Sequence, residues 1–393
     1  MVNPEIFARE AILKIIKRYG ARPTNALKLQ LERLGLYQDQ TGKVIDSLTG
    51  GNPLIEKTIH NSPYLIDPSY PKIDKVLKEA VKLNETFLKV QRSSKYSGRF
   101  NELLIYISLC KILDEHKEIF LYKLEPSGSR KFNGFTYKMD AFLILNGEFF
   151  AIEIKNKIDQ TMITHKDLNG ILNERGDTNP ILINRFASRD VKREFLKQNG
   201  RVADILKLNI LDCEETEEAK EASRKLGIFD SINWVPYITI DGEEFDGSNY
   251  RSRISEINHN KLIEAADQVP KNIHATLRGL IRLIFMASEF RRILRVEKRP
   301  NKKIDAIISK LLIQYSYEYL LSSKYPIDDR TLFEVSLRRI TGHARKEIDS
   351  NREKAYSQLK EELYNLKEYG WVVKTGDKYI IRDAEIPDKI LRL

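Results

Sequence analysis

Cysteine is nearly absent: among 393 residues only Cys110 and Cys213 occur, each in an apolar stretch. This excludes a disulfide-stapled secreted fold and points to a reducing, cytoplasmic interior. The histidines (His60, His116, His165, His259, His274 and His343) are scattered, and with two cysteines they form no zinc spacing. No G-x-x-x-x-G-K-[S/T] loop is present, so ATP-driven work is not indicated, and no G-x-S-x-G nucleophile elbow is found. Long hydrophobic runs are missing too. The most apolar helical stretch, Leu277 to Leu294, is broken by Arg278, Arg282, Arg291 and Arg292, so no membrane span is expected. The N-terminus carries no signal-peptide pattern.

Positive charge is abundant. A net charge of +10 favours a polyanionic partner. The length predicts roughly two to four domains.

The most informative stretch is KMDAFLILNGEFFAIEIKNK, Lys138 to Lys157. Asn146-Gly147 between two apolar runs predicts a two-residue hairpin. With Leu145 opposite Glu148, the register puts Asp140 opposite Glu153, and the pleat puts Lys155 on the same face. Both hairpin faces are otherwise apolar, as in a central, covered element. Two carboxylates at its end repel each other and are penalised by burial. A divalent cation relieves that repulsion, and hard carboxylate oxygens suit Mg²⁺. The other reading is a structural carboxylate–lysine pair at a strand end.

Asp140 followed by Glu153-Ile154-Lys155 on the next strand resembles the PD-(D/E)xK nuclease superfamily, which includes restriction endonucleases and junction resolvases. Glu115-His116-Lys117 and Glu218-Ala219-Lys220 share the tripeptide spacing but lie in charged, helical surroundings, so the hairpin context carries the resemblance. Met139 stands where the motif's proline would be. The resemblance implies an α/β fold: a restriction-endonuclease-like mixed sheet with helices on both faces. It implies Mg²⁺ (or Mn²⁺) held by Asp140, Glu153, the Ile154 carbonyl and Glu102, with Lys155 positioning the attacking water. It also implies double-stranded DNA as substrate, a homodimer, and a prokaryotic or archaeal setting. Glu102, read in the first turn of a helix from Phe100 to Leu113, has a second explanation as a complement to the helix dipole. Lys157 and Gln160 stand beside the site in sequence.

The flanks extend this reading. Residues 1–70 show three helices and a hairpin around His60-Asn61-Ser62, as in a winged helix, or else a protein-binding module. A helical linker covers 71–97 and the nuclease core 98–213. Within the core, the loop SGSRKFNG presents Arg130 and Lys131, and Arg185 and Arg189 stand at a helix start as phosphate-binding candidates. Residues 214–303 form a basic helical region, and 304–393 a second winged-helix candidate with a hairpin around Gly376-Asp377. The expected activity is site-specific DNA cleavage. A structure-specific repair nuclease and a DNA-binding protein with an inactive core are the alternatives.

Overall fold

The computed structural model describes residues 4–32, 38–50, 53–93, 97–117, 120–126, 129–132, 135–155, 170–171, 178–184, 189–198, 200–205, 210–212, 217–235, 237–245, 250–296, 300–323 and 325–381. By internal packing the chain forms two compact units. The first holds residues 1–111, 125–142 and 151–273, and the second 112–124, 143–150 and 274–393.

The first unit opens with α1 (Pro4–Tyr19), β1 (Ala21–Pro23), α2 (Thr24–Glu32), α3 (Gln38–Thr49), β2 (Ile55–Ile59) and β3 (Ser62–Ile66). Ala8, Ile12 and Ile16 recur every four residues and meet Leu27, Leu31, Val44, Ile45 and Leu48 in one buried cluster. Gly20 closes α1 at φ 76, donating its N–H to the Ile16 carbonyl. A Cβ there would lie 2.6 Å from the Tyr70 ring, so no other residue fits. The strands form a sheet in the order β1-β3-β2. β1 is absent from the sequence reading because Ala21-Arg22-Pro23 is too short to show a period.

This region shares a core with later segments. α4 (Ile73–Ser93) contributes Phe87, and Leu226, Ile228 and Ile232 join Ala26 and Leu29 of α2. Arg22 Nη2 donates to the Lys225 carbonyl at 3.1 Å, and Gln30 Nε2 to the Leu226 carbonyl at 3.0 Å.

Next come α5 (Ser97–Glu115), β4 (Tyr122–Pro126), β5 (Ser129–Phe132), β6 (Phe135–Lys138), β7 (Ala141–Leu145), β8 (Glu148–Lys155), β9 (Asn179–Asn184), α6 (Arg189–Lys197) and β10 (Arg201–Asp204). The chain is mixed α/β, with a five-stranded sheet in the order β10-β9-β8-β7-β4 in which β9 and β10 run parallel. Asn146 and Gly147 take φ 51 and 76, the backbone a two-residue primed turn requires. α5 buries Phe100, Leu103, Leu104, Ile107 and Leu113 nearly all round, as its composition predicts. SGSRKFNG is not simply a loop, because β5 and β6 pair antiparallel. The last strand of the group is β10 at Arg201–Asp204.

The core behind the hairpin is Met139, Ala151, Ile171, Leu182, Val191 and Phe195. Leu182 is fully buried there. Leu182→Ala is expected to cost about 2–5 kcal/mol, read as a lower urea midpoint at unchanged slope.

The first unit continues with β11 (Ile210–Asp212), α7 (Glu217–Lys225), β12 (Asn233–Val235), β13 (Ile238–Ile240), β14 (Glu243–Phe245), α8 (Tyr250–Ile254) and α9 (His259–Ala265). The second unit is built on α10 (Lys271–Val296) and α11 (Pro300–Ser322), then β15 (Ile327–Asp328), α12 (Asp329–Arg339), α13 (Gly342–Ser350), α14 (Arg352–Glu368), β16 (Val373–Thr375) and β17 (Lys378–Ile380). Its sheet order is β15-β17-β16, the connectivity of the N-terminal sheet with one added helix. Trp371 is packed by His116, Phe120, Phe285 and Tyr317. Among the described residues no helix is long and apolar enough to cross a membrane.

Candidate active site

The hairpin sets the geometry. The Asp140 N–H donates to the Ile152 carbonyl at 3.0 Å, so Asp140 lies beside the Ile152–Glu153 step of β8. The Ile154 N–H in turn donates to Asp140 Oδ2 at 2.7 Å. Asp140 and Glu153 are both buried, at 8% and 7% exposure. Lys155 pairs with Glu153 Oε1 through Nζ. Asp140, Glu153, Ile154 and Lys155 therefore lie together at one end of the hairpin, with Asp140 bonded to the residue before Glu153 rather than set squarely opposite Glu153 as the two-residue turn alone predicts.

Glu102 reaches the same place from α5. That helix begins at Ser97, which puts Glu102 past its first turn, where the helix dipole has faded. The dipole explanation loses its basis. Glu102 Oε2 instead accepts from Tyr250 Oη at 2.9 Å and from Arg251 Nη2 at 3.0 Å. The same Nη2 donates to Asp140 Oδ1 at 2.5 Å, and Arg251 Nε donates to Tyr250 Oη at 3.3 Å. One guanidinium thus bridges Glu102 and Asp140.

Burial pushes Asp140 up to about 7, and the negative charges of Glu153 and Glu102 push in the same direction. The Ile154 N–H and the Arg251 guanidinium only partly offset them. Such a site takes up either a proton or a cation. Burial works against the Arg251 charge, yet Tyr250, Glu102 and Asp140 hold its pKa above the ordinary value. Burial, then Glu102, raises Tyr250, so its hydroxyl stays protonated.

Asp140, Glu153 and Glu102 offer only hard oxygen donors, the set that suits Mg²⁺ or Mn²⁺. As they stand, the described residues contain no group of three His, Cys, Asp or Glu side chains able to hold a metal ion. A guanidinium stands between Glu102 and Asp140, and an ammonium pairs with Glu153.

Other sequence candidates are placed less closely. Arg130 and Lys131 stand on β5 opposite Tyr137 and Thr136, and Arg189 opens α6. Arg185, Lys157 and Gln160 lie outside the described residues. In the basic span 271–303, Arg278 is engaged by Glu115 through Nε and Nη2, and Arg282 is buried with its guanidinium 5.3 Å from the Trp371 ring centroid. Neither is available to a phosphate backbone. Arg339 and Arg345 likewise pair with Glu318 and Asp349. Cys110 is buried, and burial pushes its thiol up to about 12, which rules it out as a thiolate nucleophile.

Tyr250 and Arg251 have no counterpart in the sequence reading, which ends the nuclease core at residue 213. They arrive on a five-residue helix whose sequence, YRSRI, carries no motif. Comparison with protein-family models, with curated proteins and with solved structures finds no match.

Proposed function

We propose that this protein is a metal-dependent DNA endonuclease of the PD-(D/E)xK type, with Asp140, Glu153 and Lys155 as its catalytic residues. One observation carries the reading. A two-strand hairpin in a mixed sheet delivers a buried Asp140 and Glu153 with Lys155, and a preceding helix adds Glu102 beside Asp140. Three carboxylates are gathered where burial and mutual repulsion oppose their charges, an arrangement that a bound divalent cation relieves.

Asp140, Glu153 and Glu102 would hold the ion, with the Ile154 backbone fixing Asp140 through its N–H. Bound Mg²⁺ supplies Lewis-acid polarisation of a phosphoryl oxygen and lowers the pKa of a water. Lys155 Nζ, steered by Glu153, donates a hydrogen bond to the oxygen of the attacking water and orients it toward phosphorus.

The connectivity α1-β1-α2-α3-β2-β3 with sheet order β1-β3-β2, repeated around β15-β17-β16, supports the reading of two winged-helix modules flanking the core. Net positive charge supports DNA as the partner.

The guanidinium between Glu102 and Asp140 favours a second reading, a DNA-binding protein with a silent nuclease core. The two are separated by incubating the protein with duplex, single-stranded, flap and four-way-junction DNA in Mg²⁺, in Mn²⁺ and in chelator. Cleavage of at least one form that stops in chelator is expected. Duplex binding without cleavage of the panel or of a genomic fragment library would establish the second reading instead.

A further inference from the structure

We propose that Arg251 is a built-in competitor of the metal ion: its guanidinium occupies the cation position between Glu102 and Asp140 and must leave before a divalent ion can enter. The inference rests on the metal-site reading above and adds to it a residue that gates the site.

The two cations need the same atoms. Arg251 Nη2 holds Glu102 Oε2 at 3.0 Å and Asp140 Oδ1 at 2.5 Å. Mg²⁺ requires its oxygen ligands at about 2.0–2.1 Å. A guanidinium nitrogen between these oxygens and an ion bound to them exclude each other.

The structure also provides an exit and a holder. The side chain of Arg251 is 40% exposed, against 15% for Glu102 and 11% for Asp140, so the guanidinium is the member of the cluster that can swing to solvent. Tyr250 Oη keeps its own bond to Glu102 Oε2, and the Ile154 N–H keeps Asp140 Oδ2. Both carboxylates therefore stay in place when Arg251 departs. Until then the arginine neutralises charges that burial opposes, which keeps the cation-free site folded.

The test is direct Mn²⁺ titration by calorimetry on the full chain, with thermal melting alongside, for wild type, Arg251→Gln, Arg251→Lys, Arg253→Gln and Asp140→Asn. Arg253 lies on the same helix but pairs with Glu243, away from the cluster, and serves as the control. Arg251→Gln is expected to bind Mn²⁺ about tenfold or more tightly than wild type, a gain of about 1.4 kcal/mol per tenfold. Arg251→Lys should fall between the two, Arg253→Gln should match wild type, and Asp140→Asn should lose binding. Metal-free Arg251→Gln should melt below wild type at pH 8 and gain more from Mn²⁺. If Arg251→Gln binds no more tightly than wild type while Asp140→Asn abolishes binding, the gating role is overturned and the metal site stands. If wild type and both Arg251 variants all fail to bind Mn²⁺, the metal-site reading is overturned together with it.

Discussion

Lys155→Ala is expected to lower the rate of metal-dependent DNA cleavage by about 10²–10⁴-fold. Lys155 is the one cation on the hairpin beside the proposed ion position, and its ammonium is directed by Glu153. Alanine removes the group that orients the attacking water and leaves the ion's oxygen donors in place. Single-turnover cleavage should therefore collapse, while Mn²⁺ affinity stays within a few fold and duplex binding is retained. Because Lys155 is half-buried at the end of β8, the substitution opens no core cavity and the urea midpoint should move little. A variant that cuts at the wild-type rate would remove Lys155 from the mechanism. One that loses metal binding and folding together would make it a structural partner of Glu153.

Asp140→Asn should change the pH dependence of stability in chelator. Asp140 is raised to about 7 in the folded protein, above the ordinary value of 3.8 it has when unfolded. The folded state therefore holds a proton that the unfolded state releases. The stability this provides is present below about pH 4 and is lost as pH rises through about 7. Asparagine mimics the protonated carboxyl at every pH. The variant should match wild type near pH 4 and exceed it at pH 8 by on the order of 2–4 kcal/mol, measured by urea denaturation. Saturating Mg²⁺ should reverse the order, since only wild type gains binding free energy. An equal difference at both pH values would contradict a proton held on Asp140.

The hairpin was legible because its signals are local. Asn-Gly dictates a positive-φ turn, and two strands of matched length then bring Asp140 and the Glu153–Lys155 stretch to the same far end, though the pairing there is one residue off the turn's register. The strand Asn179–Asn184 carries the continuous apolar run Pro180-Ile181-Leu182-Ile183, and the helix Arg352–Glu368 carries Ala355, Leu359, Leu363 and Leu366 at helical spacing, so their signals are local as well. The hairpin β5–β6 was not, although its paired ends Phe132 and Phe135 flank another Asn-Gly. Its polar residues, Ser129, Arg130 and Lys131, mask the alternation on which a strand reading depends. Glu102 stands out in the sequence within a helix expected from Phe100, and the start of that helix at Ser97 removes the competing explanation. Tyr250 and Arg251 were illegible for a physical reason. Their partners lie 148 and 111 residues away along the chain, and short-range periodicity holds no trace of contacts at that separation.

The most direct test of the central claim uses Glu153→Gln, which keeps the shape of the buried side chain and removes its charge. Single-turnover hydrolysis of a genomic fragment library in Mg²⁺ should be seen with wild type, vanish in chelator, and fall at least about 10²-fold in the variant. Cleavage by Glu153→Gln at the wild-type rate, or wild-type cleavage unaffected by chelator, would contradict a metal-dependent nuclease built on Asp140, Glu153 and Lys155.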